Sequence, residues 1–173
     1  MSPSTHSRGV QVTHWLSAAG IFALLPMGVA MAGMAEDDPT RLLLTRLHVV
    51  VGIATALLTV LRLIFIAKGP RPEPLEMSTL HHLGIKGTHV LLYVMLFAIL
   101  GSGLSLFGGG ELAAYLSGAS ATAPDFSELP PRAAHGNLPI AYLVVVVAHV
   151  AGSVLHEVRR GGVLRRIGIP RRG

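Results

Sequence analysis

Three histidines mark one stretch of the chain, HGNLPIAYLVVVVAHVAGSVLH, which runs from His135 to His156. No Asp, Glu, Lys or Arg lies between them. His135 and His149 are fourteen residues apart, and His149 and His156 seven. At about 100° per residue, a helix brings such positions to within about 40° and 20° of one another. The first two rings would then sit about 21 Å apart along the axis, most of the hydrocarbon thickness of a bilayer. Imidazole is a common metal ligand. Two of them on one face, near opposite sides of a membrane, point to two stacked metal centres.

The composition says what kind of scaffold must carry them. Of the 173 residues, 51% are hydrophobic and 13% charged, and the mean hydropathy is +0.59. A soluble domain has about 25% charged residues. The chain therefore reads as an integral membrane protein embedded in lipid. It has no cysteine. That excludes disulfides, iron–sulfur ligation and covalent attachment of a c-type haem, so any haem is held non-covalently. The formal charge is +5 and the pI about 10.4. This excess reads as the positive-inside rule. Nucleic-acid binding is not expected, because the arginines flank apolar spans and are not interleaved with aromatics.

Four apolar spans follow one another, at about 12–33, 43–67, 84–107 and 135–158. The first resembles a signal peptide in its acid-poor start, but it is long enough to span and is read as a retained helix. Glu36, Asp37, Asp38 and Pro39 separate it from the second. Gly69, Pro70, Pro72 and Pro74, in KGPRPEPLEMS, end the second. The longest connection, 108–134, carries Gly108, Gly109, Gly110, Pro130 and Pro131, with ELAAYLSGA as a short interfacial helix. No internal repeat or second domain is visible. The expected fold is all-α: one domain over 1–173, a transmembrane four-helix bundle. With the N-terminus inside, the cytoplasmic side holds eleven basic residues against three acids, and the other side three against six. That bias puts both termini in the cytoplasm of a bacterial inner-membrane, multi-pass protein.

Depth then sorts the histidines. His48 and His135 fall in the outer layer, and His14, His89, His149 and His156 in the inner one. His6, His81 and His82 lie in expected loops and are not counted as ligands. Ionisable residues inside a membrane are costly and mark functional sites. Two imidazoles on haem iron leave no open position, so such a centre passes electrons. The outer pair suits one bis-histidine haem b, and the inner layer has enough histidines for a second. A closed zinc site needs about four ligands, usually including cysteine or carboxylate, and the outer layer has two histidines.

The chain resembles the bacterial cytochrome b561 family of four-helix dihaem inner-membrane proteins. The resemblance rests on THW at 13–15, LHVVVGI at 47–53, VLRL at 60–63, LGIKGTHVLLY at 83–93, HGNL at 135–138 and AHVAGSVLH at 148–156. It covers about 12–169. It implies that His14 and His149 hold the cytoplasmic-side haem, and His48 and His135 the outer one. His89 and His156 would remain as non-ligands that exchange protons with a quinone, since imidazole titrates near neutral pH. Lys86, one turn before His89, is either a third member of that group or an ordinary snorkelling lysine. Arg62, fourteen residues after His48, is either a partner of an inner-haem propionate or a boundary arginine.

Activities known in the family include oxidation of superoxide at the outer face with reduction of ubiquinone. The expected function is therefore electron transfer across the inner membrane, from an outer one-electron donor to ubiquinone, as a superoxide:quinone oxidoreductase. Arg41, Arg46 and Arg132 are the basic residues available to attract the anion, against an acidic surplus on that side. One alternative is an electron-relay cytochrome b subunit that docks to a hydrogenase- or dehydrogenase-type partner or a soluble cytochrome. The other is a haem-free membrane channel or structural protein.

Overall fold

The computed structural model describes residues 5–73, 77–108 and 110–169. Pro74, Glu76, Gly109, Arg171 and Arg172, which entered the turn and charge readings, lie outside them. The described residues are all helical or irregular. In order they form α1 (Arg8–Ala32), α2 (Pro39–Lys68), α3 (Thr79–Ser105), α4 (Glu111–Ser117), α5 (Pro130–Arg159) and α6 (Val163–Arg166). α1, α2, α3 and α5 are long and apolar enough to cross a membrane. Their outward faces carry large apolar residues such as Val29, Val50, Leu57, Val94 and Val144. A soluble protein would bury such faces, whereas a bilayer solvates them.

All four long helices begin earlier than the apolar pattern suggests, and their first residues and caps explain why. Asp38 accepts a hydrogen bond from the Thr40 N–H at 2.7 Å, and Pro39 takes the first helical position of α2. Pro130 does the same for α5, so His135 lies inside the helix and not at its tip. Ser78 caps α3 through the His81 N–H. This corrects one expectation: His81 and His82 stand in the first turn of α3, not in a loop.

The bundle is built from two antiparallel hairpins. α1 packs along α2, and α3 along α5. Small residues set the first contact. Thr13, Ser17 and Gly20 follow one another at helical spacing on α1, facing buried Thr55 and Thr59 on α2. Such residues let membrane helices approach closely. A Cβ on Gly20 would stand 2.2 Å from Thr55 Oγ1, and Thr55 is only 1% exposed. Gly20→Val is therefore expected to force the helices apart at a cost of about 1–3 kcal/mol. Thermal melting of the helical circular-dichroism signal in detergent checks this, and an unchanged midpoint would speak against the packing.

The ends are tied differently. At one end, α4 buries Leu112 and Tyr115, and Arg46 on α2 donates to the Leu116 carbonyl at 2.9 Å. At the other, the segment around α6 lies across the start of α1. The Glu157 carboxylate caps α6 by accepting from the Val163 and Leu164 N–H groups at 2.8 and 3.0 Å. The Trp15 indole donates to the Ile167 carbonyl at 2.9 Å, and the His6 N–H to the Arg166 carbonyl at 3.1 Å. Burial and the Arg166 guanidinium push the His6 imidazole below its ordinary value, so it is neutral at pH 7.

Candidate functional site

The two hairpins face each other across their histidines. At the α4 end, the His48 and His135 ring centroids are 5.9 Å apart with planes at 79°. His135 is held firmly. Its Nδ1 lies 2.9 Å from the Ile99 carbonyl, which can only accept, so Nδ1 carries the proton and Nε2 presents a lone pair. The Ser102 hydroxyl stands 3.3 Å from the same nitrogen. Anchoring one ring nitrogen to a carbonyl is how metal-binding imidazoles are oriented. Gly103 lies directly beside the ring: a Cβ there would sit 2.6 Å from His135 Cε1. His48 lies next to Gly28, and its Nδ1 is buried without a partner.

The opposite end gathers more groups. The His89 and His149 centroids are 5.1 Å apart. His89 Nδ1–H donates to the Ile85 carbonyl at 2.8 Å, again leaving Nε2 with its lone pair. His14 is within electrostatic reach of His149, His89 and Arg62. Its ring stands edge-on to Trp15 at 5.1 Å, and its Nδ1 is buried without a partner. The Arg62 guanidinium lies over the Tyr93 ring, 5.7 Å from its centroid. Among the expected quinone residues, the two histidines have different ring partners. His89 packs on His149, His156 packs on His81 at 5.8 Å, and Lys86 is exposed.

These observations test whether the residues suit a haem. Two layers of imidazole are present, one bridging the hairpins through His48 and His135. Buried, unpartnered Nδ1 atoms on His14 and His48 call for a partner. Gly103 leaves room for the His135 ring, and Gly28 lies in ordinary contact range of His48. The donor set is all imidazole, which suits bis-histidine ligation of haem iron. No group of three or more His, Cys, Asp or Glu among the described residues could hold a bare metal ion. The residues fit haem.

A model of the prokaryotic cytochrome b561 family matches residues 5–168. The chain belongs to the prokaryotic cytochrome b561 family. It is a multi-pass membrane cytochrome b, with haem b binding and electron transfer as the family's properties. It is 30% identical over 155 residues to cytochrome b561 homolog 2 of Escherichia coli (strain K12), covering 83% of this chain and 80% of that one. No solved structure matches the chain.

The family membership gives meaning to residues that sequence reasoning passed over. Gly103, Ser102 and Ile99 shape the His135 site from α3, and nothing in their sequence spacing marks them. Tyr142 is different. It stands seven residues from both His135 and His149, in the same stripe, and is 5% exposed. Its position was readable from the heptad spacing. Gly103→Ala is expected to displace the His135 ring and cut haem retention by about half; two haems per chain after purification would contradict it.

Proposed function

We propose that the chain binds two b haems and carries electrons across the bacterial inner membrane, from superoxide at the outer face to ubiquinone at the cytoplasmic side. His48 and His135 hold the outer haem, and His14 and His149 the inner one. The observation that carries this reading is the meeting of His48 and His135 across the two hairpins, with His135 Nδ1 anchored so that Nε2 is free for iron. Haem between two imidazoles supplies one-electron storage and outer-sphere transfer.

The rest falls to the chain. Two superoxide anions leave as two dioxygen molecules, two electrons cross, and ubiquinone takes up both with two protons to give ubiquinol. His89, His156 and Lys86 stand at the cytoplasmic end as the protonatable groups for that last step. His89 and His156, packed on different rings, act as successive stations. The arginine-rich C-terminal segment supports the assignment of this end to the cytoplasm. Mixing the purified protein with a superoxide source and a ubiquinone analogue tests the reading. Rapid haem reduction followed by ubiquinol formation supports it, and haems that stay oxidised refute superoxide as donor.

A second reading has its own observation. The guanidiniums of Arg41 and Arg46 donate to the carbonyls of Met34 and Leu116, and the same end carries Glu36, Asp37, Asp38, Glu111, Asp125 and Glu128. An acidic outer rim suits a basic redox protein better than a small anion. In that case the chain is an electron relay, and reduction of its haems falls steeply as salt rises.

A further inference from the structure

Arg62 is a cation in the middle of the histidine sites, and no acidic side chain among the described residues is placed to neutralise it. α1, α2 and α3 contain no Asp or Glu, and α5 only Glu157 near its end. Glu157 is committed to capping α6. It also lies fifteen residues beyond Tyr142, about 22 Å along the helix. A boundary arginine would snorkel toward the headgroups. Arg62 does not. Its guanidinium lies over Tyr93, which is one turn from His89 on the side of the bundle middle, and acts electrostatically on Tyr142. Tyr142 itself stands midway between His135 and His149 on α5.

Two of these groups have unmet hydrogen-bonding capacity. Arg62 Nε and the Tyr93 hydroxyl are buried without partners. A guanidinium is a planar fork of donors whose natural complement is a carboxylate. A phenol hydroxyl is a further donor to the same oxygens. A buried cation without a counter-charge is strongly disfavoured, so the site calls for an anion. The proposed inner haem brings carboxylates of its own as propionates, at the depth where His14 and His149 come within reach of Arg62.

We infer that Arg62, Tyr93 and Tyr142 form a carboxylate pocket between the two histidine layers, that it holds a propionate of the inner haem, and that Arg62 raises this haem's potential. The inference rests on the assignment of His14 and His149 as inner ligands. The positive charge favours the reduced iron, which carries one charge fewer. Arg62 is a positioning residue that acts through the propionate, and Tyr142 adds a hydroxyl donor from the stripe shared with both α5 ligands.

The test uses the His135→Ala chain, which keeps only the inner site. Stripped of haem and reconstituted, it should bind protohaem at least tenfold more tightly than protohaem dimethyl ester, whose propionates are blocked. Adding Arg62→Gln should abolish that preference. Tyr142→Phe, the milder change, should reduce it. In the otherwise unaltered chain, Arg62→Gln should lower one haem potential at least tenfold in reduced-to-oxidised ratio, about 59 mV for one electron, and leave the other in place. An ester bound as tightly as the free acid, or a preference that survives Arg62→Gln, would overturn the pocket. Failure of His135→Ala to keep one haem would instead take down the ligand assignment, and the inference with it.

Discussion

His135→Ala is expected to lower the haem content from two per chain to one, with the survivor keeping the spectrum of a low-spin bis-histidine b haem. His135 is the α5 half of the only ring contact that joins the two hairpins at the α4 end among the described residues. Its replacement removes one proposed ligand outright and leaves His48 facing the methyl group of alanine. His149, the inner ligand on the same helix, lies about 21 Å away along α5. The loss should therefore be confined to one site. Ser102 and Gly103 lose the ring they pack on, but the α3–α5 contact continues along the helices, so the fold should persist. Haem extracted into alkaline pyridine and set against protein concentration reads the outcome. Two haems retained would remove His135 from the ligand set.

The second large effect separates the inner histidines. His14→Ala and His149→Ala are each expected to cost one haem, whereas His89→Ala keeps both and slows quinone reduction by about 10²–10⁴-fold, the range for a lost proton-transfer group. The competing arrangement has a real basis, since His89 packs on His149 at 5.1 Å with its Nε2 free. Two facts favour His14. Its Nδ1 is buried without a partner, and Trp15, pinned to the Ile167 carbonyl, braces its ring. His89, by contrast, sits one turn from exposed Lys86. Loss of a haem in His89→Ala with retention in His14→Ala would exchange the two roles.

The histidine layers were legible in the sequence because a helix in a membrane has a fixed rise and a fixed direction. Spacing gave the common face of His135 and His149, and alternation of the spans gave their depth. What spacing could not give was contact between helices. The approach of His89 to His149, the fit of the His135 ring against Gly103, and the reach of Arg62 over Tyr93 all depend on side chains from different helices. Helix starts were misjudged where the apolar pattern outweighed the caps. Asp38–Pro39, Ser78 and Pro130 are strong local signals, and they extend helices into polar sequence. That is why His81 and His82 belong to α3. The segment around α6 was hidden for another reason: its hold on α1 comes from carbonyls of the main chain, which no residue pattern displays.

The central claim is that one chain holds two b haems, each between two imidazoles. The haem-to-protein ratio of the purified wild-type protein, taken with the electron paramagnetic resonance spectrum of its oxidised form, tests it most directly. The expected result is two haems per chain, both low-spin ferric, with no high-spin signal. A ratio of one, or a high-spin signal from iron with an open position, would contradict it.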